Sequence, residues 1–154
     1  MFIIEKVVKI SNTSHFLGKN FPRACKNVHG HCYEFKIKVG GKTLNQYDML
    51  IDFQDIKTHC DDWIQNNWDH ATIFSSFQTE MRPLWDKMGW KYVEFPIKGV
   101  NTTAESMSLF LANKFYKELK SLYPNVEFVE VAVSETPTSI CYYRVDESNK
   151  QDFE

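Results

Sequence analysis

Residues 29–39 read HGHCYEFKIKV, and this stretch decides the fold class of the chain. Histidine, aromatic and aliphatic side chains occupy every second position, and small or charged side chains occupy the positions between them. This two-residue period is that of a β-strand with one face turned towards a core. Gly40 and Gly41 then end the strand.

Further strands and two helices are predicted on either side of this strand. The additional strands are expected at residues 2–10, 92–95, 129–135 and 140–145. One helix is expected to begin at Phe53, after an N-cap at Asp52. The second is expected to begin around Thr102, which has capping-box spacing to Glu105. The order of elements predicts an α+β fold: a four-stranded antiparallel sheet with two helices on one face, whose open edges favour oligomerisation.

Composition places the chain among globular proteins of one domain. With 154 residues, 43% hydrophobic and 25% charged, it is expected to form a single domain over residues 1–146, followed by a polar tail at 147–154. A net charge of −2, with no Lys/Arg cluster that offers a face for phosphates, argues against a nucleic-acid partner. No segment approaches the roughly 20 apolar residues that span a membrane. Four scattered cysteines and no export signal predict free thiols and a cytoplasmic location.

Three of the five histidines have the spacing of a metal site. His29 and His31 are two positions apart in the predicted strand, so their side chains leave the same face. His15 lies in an earlier segment that could pair beside this strand. Three imidazoles with one open position would suit a catalytic zinc. The pattern alone is equally consistent with histidines on a half-exposed face.

Cys25 lies four residues before His29 and permits three interpretations. A thiol beside a metal ion is ionised readily and could act as a base. It could also be a fourth zinc ligand, which would make the site structural, or a small buried apolar side chain.

Two carboxylates complete the candidate residues. Asp69 could orient the imidazole of His70 if the backbone turns the two together; otherwise the pair belongs to a surface loop. Glu135 continues a strand face formed by valines, so its carboxylate should have a partner unless it is exposed to water at the strand end.

Taken in chain order, these pieces resemble the 6-pyruvoyltetrahydropterin synthase family. The resemblance spans nearly the whole chain and rests on residues 14–17 (SHFL), 25–31 with Tyr33, 51–53 (IDF), 56–57 (IK), 69–70 (DH), 101–105 (NTTAE), 135–136 (ET) and Tyr143. The three-residue gap between Cys25 and His29 is similar to that of the bacterial 6-carboxytetrahydropterin synthases of queuosine biosynthesis.

The resemblance implies a T-fold (tunnelling fold) subunit, in which trimers close a β-barrel and usually stack as a hexamer with active sites between subunits. It also implies a role for each matching residue. His15, His29 and His31 would bind Zn²⁺, and Cys25 would abstract a proton from the substrate. Asp69 and His70, from the neighbouring subunit, would form a proton relay. Thr102, Thr103, Glu105 and Glu135 would contact the pterin, and Glu135 would also join the relay. Helix capping is a competing explanation for Thr102 and Glu105.

The activity implied is conversion of the small-molecule substrate 7,8-dihydroneopterin triphosphate to 6-carboxytetrahydropterin, acetaldehyde and triphosphate. One alternative is the pyruvoyl synthase reaction, which eliminates triphosphate without carbon–carbon cleavage. A second is a zinc- or pterin-binding protein without activity. A zinc hydrolase or deaminase would normally place a glutamate beside the metal, as in His-x-Glu, and no such motif occurs. The sequence leaves the triphosphate position open, with Lys19, Arg23 and Lys26 as candidates because they lie near Cys25 and His29 in sequence.

Overall fold

The computed structural model describes residues 1–153, which contain six strands and three helices. The strands are β1 (Phe2–His15), β2 (His29–Gly41), β3 (Thr72–Phe74), β4 (Tyr92–Glu94), β5 (Phe128–Thr136) and β6 (Ser139–Asp146). The first helix consists of α1 (Phe53–Ile56), a π-helical turn (Lys57–Asp61) and α2 (Asp62–Trp68), and the others are α3 (Arg82–Met88) and α4 (Ala104–Leu122). A short 3₁₀ turn lies at Ala24–Lys26. Glu154, the last residue of the predicted polar tail, lies outside the described residues.

All six strands form one mixed sheet in the order β4-β3-β1-β2-β5-β6. The pairs β1–β2, β2–β5 and β5–β6 are antiparallel, and β3 and β4 are added parallel to β1. The α+β class is confirmed, but the prediction of a four-stranded antiparallel sheet is wrong. Of the two additional strands, β4 corresponds to the short strand expected at residues 92–95, which the four-stranded prediction left out of the sheet. β3 has only three residues, which is too short to show alternation in sequence.

The prediction of two helices is also wrong, because α3 is a third helix between β3 and β4. Proline and glycine favour irregular chain in sequence, but here Pro83 and Gly89 are both helix-end residues. Pro83 lies in the first turn, where it costs no hydrogen bond, and Gly89 ends the helix in the left-handed conformation at φ 67°.

The core lies between one face of the sheet and the helices. Alternate residues of β2, among them Phe35, Ile37 and Val39, are fully buried. They belong to one apolar cluster with Ile64 of α2 and Leu111 of α4, so both helices cover the same face of the sheet. Since every turn of α4 contributes a buried side chain, the helix is fixed along its length.

A bulge in β1 decides which side chains reach the core at the end of this strand. Val8 and Ile10 face the core, and the register with β2 shifts by one residue between Ile10 and Thr13. Because side chains alternate along a strand, one extra residue moves Thr13 and His15 to the core face. Their exposed fractions are only 2% and 3%. The bulge therefore brings His15 to the same face as the core.

The chain after β6 lies against α4. The backbone N–H of Gln151 donates to Oδ1 of Asn113 at 2.6 Å, and the ring of Phe153 packs near Phe110. No helix within residues 1–153 is both long enough and apolar enough to cross a membrane.

Candidate metal centre and active site

The imidazoles of His15, His29 and His31 converge at one end of the sheet. His15, at the end of β1, pairs with His29 at the start of β2, and their ring centroids are 4.5 Å apart. The ring of His31 lies 5.1 Å from that of His15 and 5.0 Å from that of His29. One ligand nitrogen of each residue lies within 4.8 Å of the other two. The structure thus brings together the three histidines that the sequence predicted as ligands.

Backbone carbonyls orient two of these rings. Nδ1 of His15 lies 2.5 Å from the carbonyl oxygen of Thr102, and Nδ1 of His29 lies 2.8 Å from that of Asn27. A carbonyl oxygen can only accept a hydrogen bond, so Nδ1 carries the hydrogen in each case. The lone pair that can bind a metal ion is then on Nε2. The Nε2 atoms of His15, His29 and His31 are all buried and have no hydrogen-bond partner within residues 1–153. This orientation of imidazole by a second hydrogen bond is typical of metal-ligating histidine.

Burial favours the neutral form of two of these imidazoles, those of His15 and His31. Burial lowers the pKa of His15 to about 4; the carbonyl of Thr102 opposes this effect, and His29 and His31 add to it. Burial also lowers the pKa of His31, with Glu135 opposing the shift. Oε1 of Glu135 lies 3.8 Å from Nε2 of His15. Since His15 is neutral near pH 7, this contact is not an ion pair between a carboxylate and an imidazolium.

The donor set fits a divalent transition metal ion. Three imidazole nitrogens without a hydrogen-bond partner among residues 1–153 can each supply a lone pair, and a three-histidine site leaves one position open for substrate or water. The cluster of possible ligands found within residues 1–153 contains these three histidines alone. Cys25 is not one of its members and lies in the wall of the adjoining cavity.

A cavity of about 280 Å³ opens beside the histidines. The predicted site residues that line it are His15, Cys25, His29, Thr103, Glu105 and Glu135. These come from β1, the 3₁₀ turn, β2, the start of α4 and the end of β5. The cavity therefore joins two of the three candidate metal ligands, a thiol and two carboxylates in one place, and His31 lies outside its lining.

Glu135 reaches this cavity from the end of β5. In the ladder with β2 the pairing is regular, and Val133 is opposite Phe35. Alternation therefore places Glu135 on the same face as Val133, although Glu135 has no partner in the ladder with β6. At the end of this face its carboxylate lies beside His15.

Tyr33 continues the histidine face of β2 into the core. Its ring centroid is 5.4 Å from that of His31 and 6.0 Å from that of His15. The hydroxyl is buried without a partner among the described residues. Burial, with a contribution from Glu135, raises the pKa of Tyr33 well above its usual range, so the phenol remains protonated.

The structure places Asp69 and His70 together but outside the lining of this cavity. Nδ1 of His70 lies 2.8 Å from Oδ2 of Asp69, and the side chain of His70 is 71% exposed. The backbone makes this pairing possible: Asp69 ends α2, and His70 adopts the left-handed conformation at φ 56°. Lys91 supports the turn by donating from Nζ to the Asp69 carbonyl at 2.8 Å.

The N-cap of α4 is Thr103, and the prediction that Thr102 and Glu105 form a capping box is wrong. The side chain of Thr103 accepts from the N–H of Ser106 at 3.3 Å. Thr102 is fully buried and does not line the cavity; its backbone carbonyl is the partner of His15. Glu105 is exposed at the cavity wall instead of closing the helix end.

Sequence reasoning missed a second thiol in the cavity, that of Cys141 in β6. Its Sγ lies 3.5 Å from Oγ of Ser108, which in turn donates to the carbonyl of Glu105 at 2.9 Å. No spacing in the sequence links residue 141 to the histidines, because only the pairing of β5 with β6 brings it there.

Comparison with known proteins bears directly on this site. The family model for 6-pyruvoyl tetrahydropterin synthase matches residues 5–146. A protein of Haemophilus influenzae named 6-carboxy-5,6,7,8-tetrahydropterin synthase is 29% identical over 126 residues, covering 78% of this chain and 84% of that protein. A protein of the same name from Aquifex aeolicus is 31% identical over 125 residues, covering 78% and 75%.

Solved structures share the fold. The crystal structure of 6-pyruvoyl tetrahydropterin synthase from Plasmodium vivax superimposes with a TM-score of 0.70, covering 95% of this chain and 99% of that one. At 21% identity this similarity concerns the arrangement of strands and helices.

Proposed function

The chain belongs to the 6-pyruvoyl tetrahydropterin synthase family, and we propose that it acts as a 6-carboxy-5,6,7,8-tetrahydropterin synthase, the name carried by its relatives from Haemophilus influenzae and Aquifex aeolicus. The proposed reaction converts 7,8-dihydroneopterin triphosphate and water to 6-carboxytetrahydropterin, acetaldehyde and triphosphate. Its pathway would be queuosine biosynthesis.

The observation that carries this proposal is the set of three buried Nε2 atoms without partners, on His15, His29 and His31. Buried polar atoms normally have a hydrogen-bond partner, so three such atoms directed at one another call for a ligand between them. These residues would hold Zn²⁺, which, when bound, supplies a Lewis acid for the oxygen substituents of the substrate side chain.

Glu135 and Cys25 would act on the two ends of the bound pterin. A pterin presents an amino group next to a ring N–H, and the carboxylate of Glu135 can accept both hydrogen bonds. This anchoring would place the pterin side chain towards the histidines, because Glu135 lies beside His15. Cys25, in the same cavity, would then accept a proton from a carbon of that side chain.

His70 would exchange protons with the substrate, and Asp69 would keep its ring oriented. The Asp69–His70 pair is preformed, with 2.8 Å between Oδ2 and Nδ1, but it lies outside the cavity that contains Cys25. We therefore propose that each active site receives this pair from a neighbouring subunit. Exposed apolar side chains of β1, such as Phe2 and Ile3 at 50% and 55% exposure, would be covered in a trimer or hexamer. The cytoplasmic location and the single catalytic domain over residues 1–146 remain predictions.

Product analysis tests the proposal. Purified protein with measured zinc content is incubated with 7,8-dihydroneopterin triphosphate, and acetaldehyde, triphosphate and the pterin product are quantified together. Equal amounts of all three, with a carboxylated pterin, are expected. Release of triphosphate without acetaldehyde would assign the pyruvoyl synthase reaction instead. Binding of the pterin without release of triphosphate would leave a binding protein and overturn the proposal.

A further inference from the structure

The loop between β1 and β2 carries an excess of positive charge. Residues 6–33 contain five lysine or arginine side chains and neither aspartate nor glutamate, although the whole chain has a net charge of −2. Three of these cations, Lys19, Arg23 and Lys26, lie in the loop, and all three are exposed. Among residues 1–153 none of them forms an ion pair with a carboxylate.

Backbone hydrogen bonds fix this loop at the edge of the cavity. The N–H of Leu17 donates to the carbonyl of Cys25 at 2.9 Å, and both residues line the cavity. Inside the closed segment, a turn joins the N–H of Phe21 to the carbonyl of Gly18, which has a φ of 83° that favours glycine. Lys19 and Arg23 lie within the segment that the hydrogen bond between Leu17 and Cys25 closes, and Lys26 follows this segment directly.

The interior of the cavity is unsuitable for a polyphosphate. Its ionisable lining includes the carboxylates of Glu105 and Glu135, which would repel an anion of several charges. A substrate anchored through its pterin ring at Glu135 must therefore direct its phosphates towards the rim. The other two rim segments, residues 103–106 and 135–141, contain no lysine or arginine.

We propose that Lys19, Arg23 and Lys26 form a polyphosphate subsite, which binds the triphosphate of the substrate and the triphosphate that is released. Arginine offers a planar, bidentate donor to phosphate oxygens, and the lysines add point charges. The identity of the polyphosphate rests on the proposed function, whereas the capacity of the loop to bind such an anion does not.

The test compares two triple variants of the zinc-loaded protein. Lys19→Gln, Arg23→Gln and Lys26→Gln remove the loop cations together. Lys42→Gln, Lys57→Gln and Lys150→Gln are the control, which removes the same charge from exposed lysines elsewhere. For each protein, the Kd of inorganic tripolyphosphate is measured by calorimetry with zinc content checked afterwards, and KM and kcat are measured with the triphosphate substrate.

In the loop variant, the Kd of tripolyphosphate and the KM of the substrate are expected to rise by at least about tenfold, with a smaller change in kcat. The Kd of tripolyphosphate should also depend less on salt concentration than in the wild type. Both constants of the control variant should stay within about twofold of the wild type. A variant with Lys19→Arg and Lys26→Arg should retain the wild-type values, which separates charge from folding. An unchanged Kd in the loop variant would overturn the inference. If the wild-type protein did not turn over the substrate, the proposed function would be wrong. The Kd of tripolyphosphate would still show whether the loop binds a polyphosphate.

Discussion

Nδ1 of His15 lies 2.5 Å from the carbonyl oxygen of Thr102, a residue 87 positions later in the chain. This contact connects the end of β1 to the residue before the N-cap of α4. It also determines that Nε2 of His15 faces His29 and His31. The candidate metal centre is therefore built by the packing of α4 against the sheet as much as by the His-x-His pattern of β2.

Removal of any one of the three histidines should release the metal ion. We expect His15→Ala to lose stoichiometric zinc, because two imidazole nitrogens hold a zinc ion far more weakly than three. Zinc per chain, measured by mass spectrometry after dialysis against a weak chelator, should fall from about one to near zero. His59→Ala is the matched control, since His59 lies near Glu118 in another part of the fold and should leave zinc bound. Full zinc occupancy in His15→Ala would contradict the assignment.

The metal-free protein should lose stability as the pH falls from 6.5 towards 4. Burial lowers the pKa of His15 from 6.5 to about 4, so in this range the unfolded chain binds a proton that the folded chain does not. Protonation therefore favours unfolding as pH decreases, by an amount on the order of 3 kcal/mol over the full range. Urea unfolding of the zinc-free protein at several pH values measures this effect.

Carboxylates also titrate in this range, so the control for the pH effect is the variant His15→Asn. Its free energy of unfolding should depend less steeply on pH between 6.5 and 4 than that of the wild type. Equal slopes for the two proteins would show that His15 is not the group responsible.

Cys25→Ala should abolish turnover and leave zinc bound. The reason is that Cys25 lines the cavity but does not belong to the cluster of metal-binding nitrogens. Activity and zinc content are measured on the same preparation, with Cys32→Ala as the control because Cys32 is an exposed free thiol in β2. Loss of zinc together with activity would make Cys25 a ligand instead of a base.

Glu135→Gln should weaken binding of the pterin while zinc remains. A carboxamide has one acceptor oxygen, so it cannot accept both hydrogen bonds from the pterin edge, and we expect KM to rise by about tenfold or more. Glu130→Gln is the control in the same strand, where Glu130 pairs with Lys38 at 2.9 Å. A KM for Glu135→Gln equal to that of the control would remove Glu135 from the pterin site.

The parts of the site that lie within one regular element could be predicted from sequence. The period of residues 29–39 places His29 and His31 on one face, and the N-cap at Asp52 is confirmed, its side chain accepting from the N–H of Gln54 at 2.8 Å. In both cases the deciding interaction joins residues a few positions apart.

The orientation of His15 could not be predicted in this way. It depends on the bulge in β1, and a bulge is set by the register between two strands, which no local pattern of one strand reveals. The same holds for β3, whose three residues become a strand because Thr72 and Ile73 pair with Ser14 and His15. Tertiary pairing decides both.

Mixed oligomers test whether one active site combines residues of two subunits. Cys25→Ala and His70→Asn are each expected to be inactive alone. Suppose that Cys25 and the Asp69–His70 pair of one site come from neighbouring chains. Random assembly of the two variants in equal amounts then creates some sites in which one chain supplies an intact Cys25 and its neighbour supplies an intact His70. Activity should then recover to about one quarter of the wild-type value after unfolding and refolding of the mixture. If each site used the Cys25 and His70 of a single chain, no mixture could contain a complete site, and the activity would stay at the level of the separate variants.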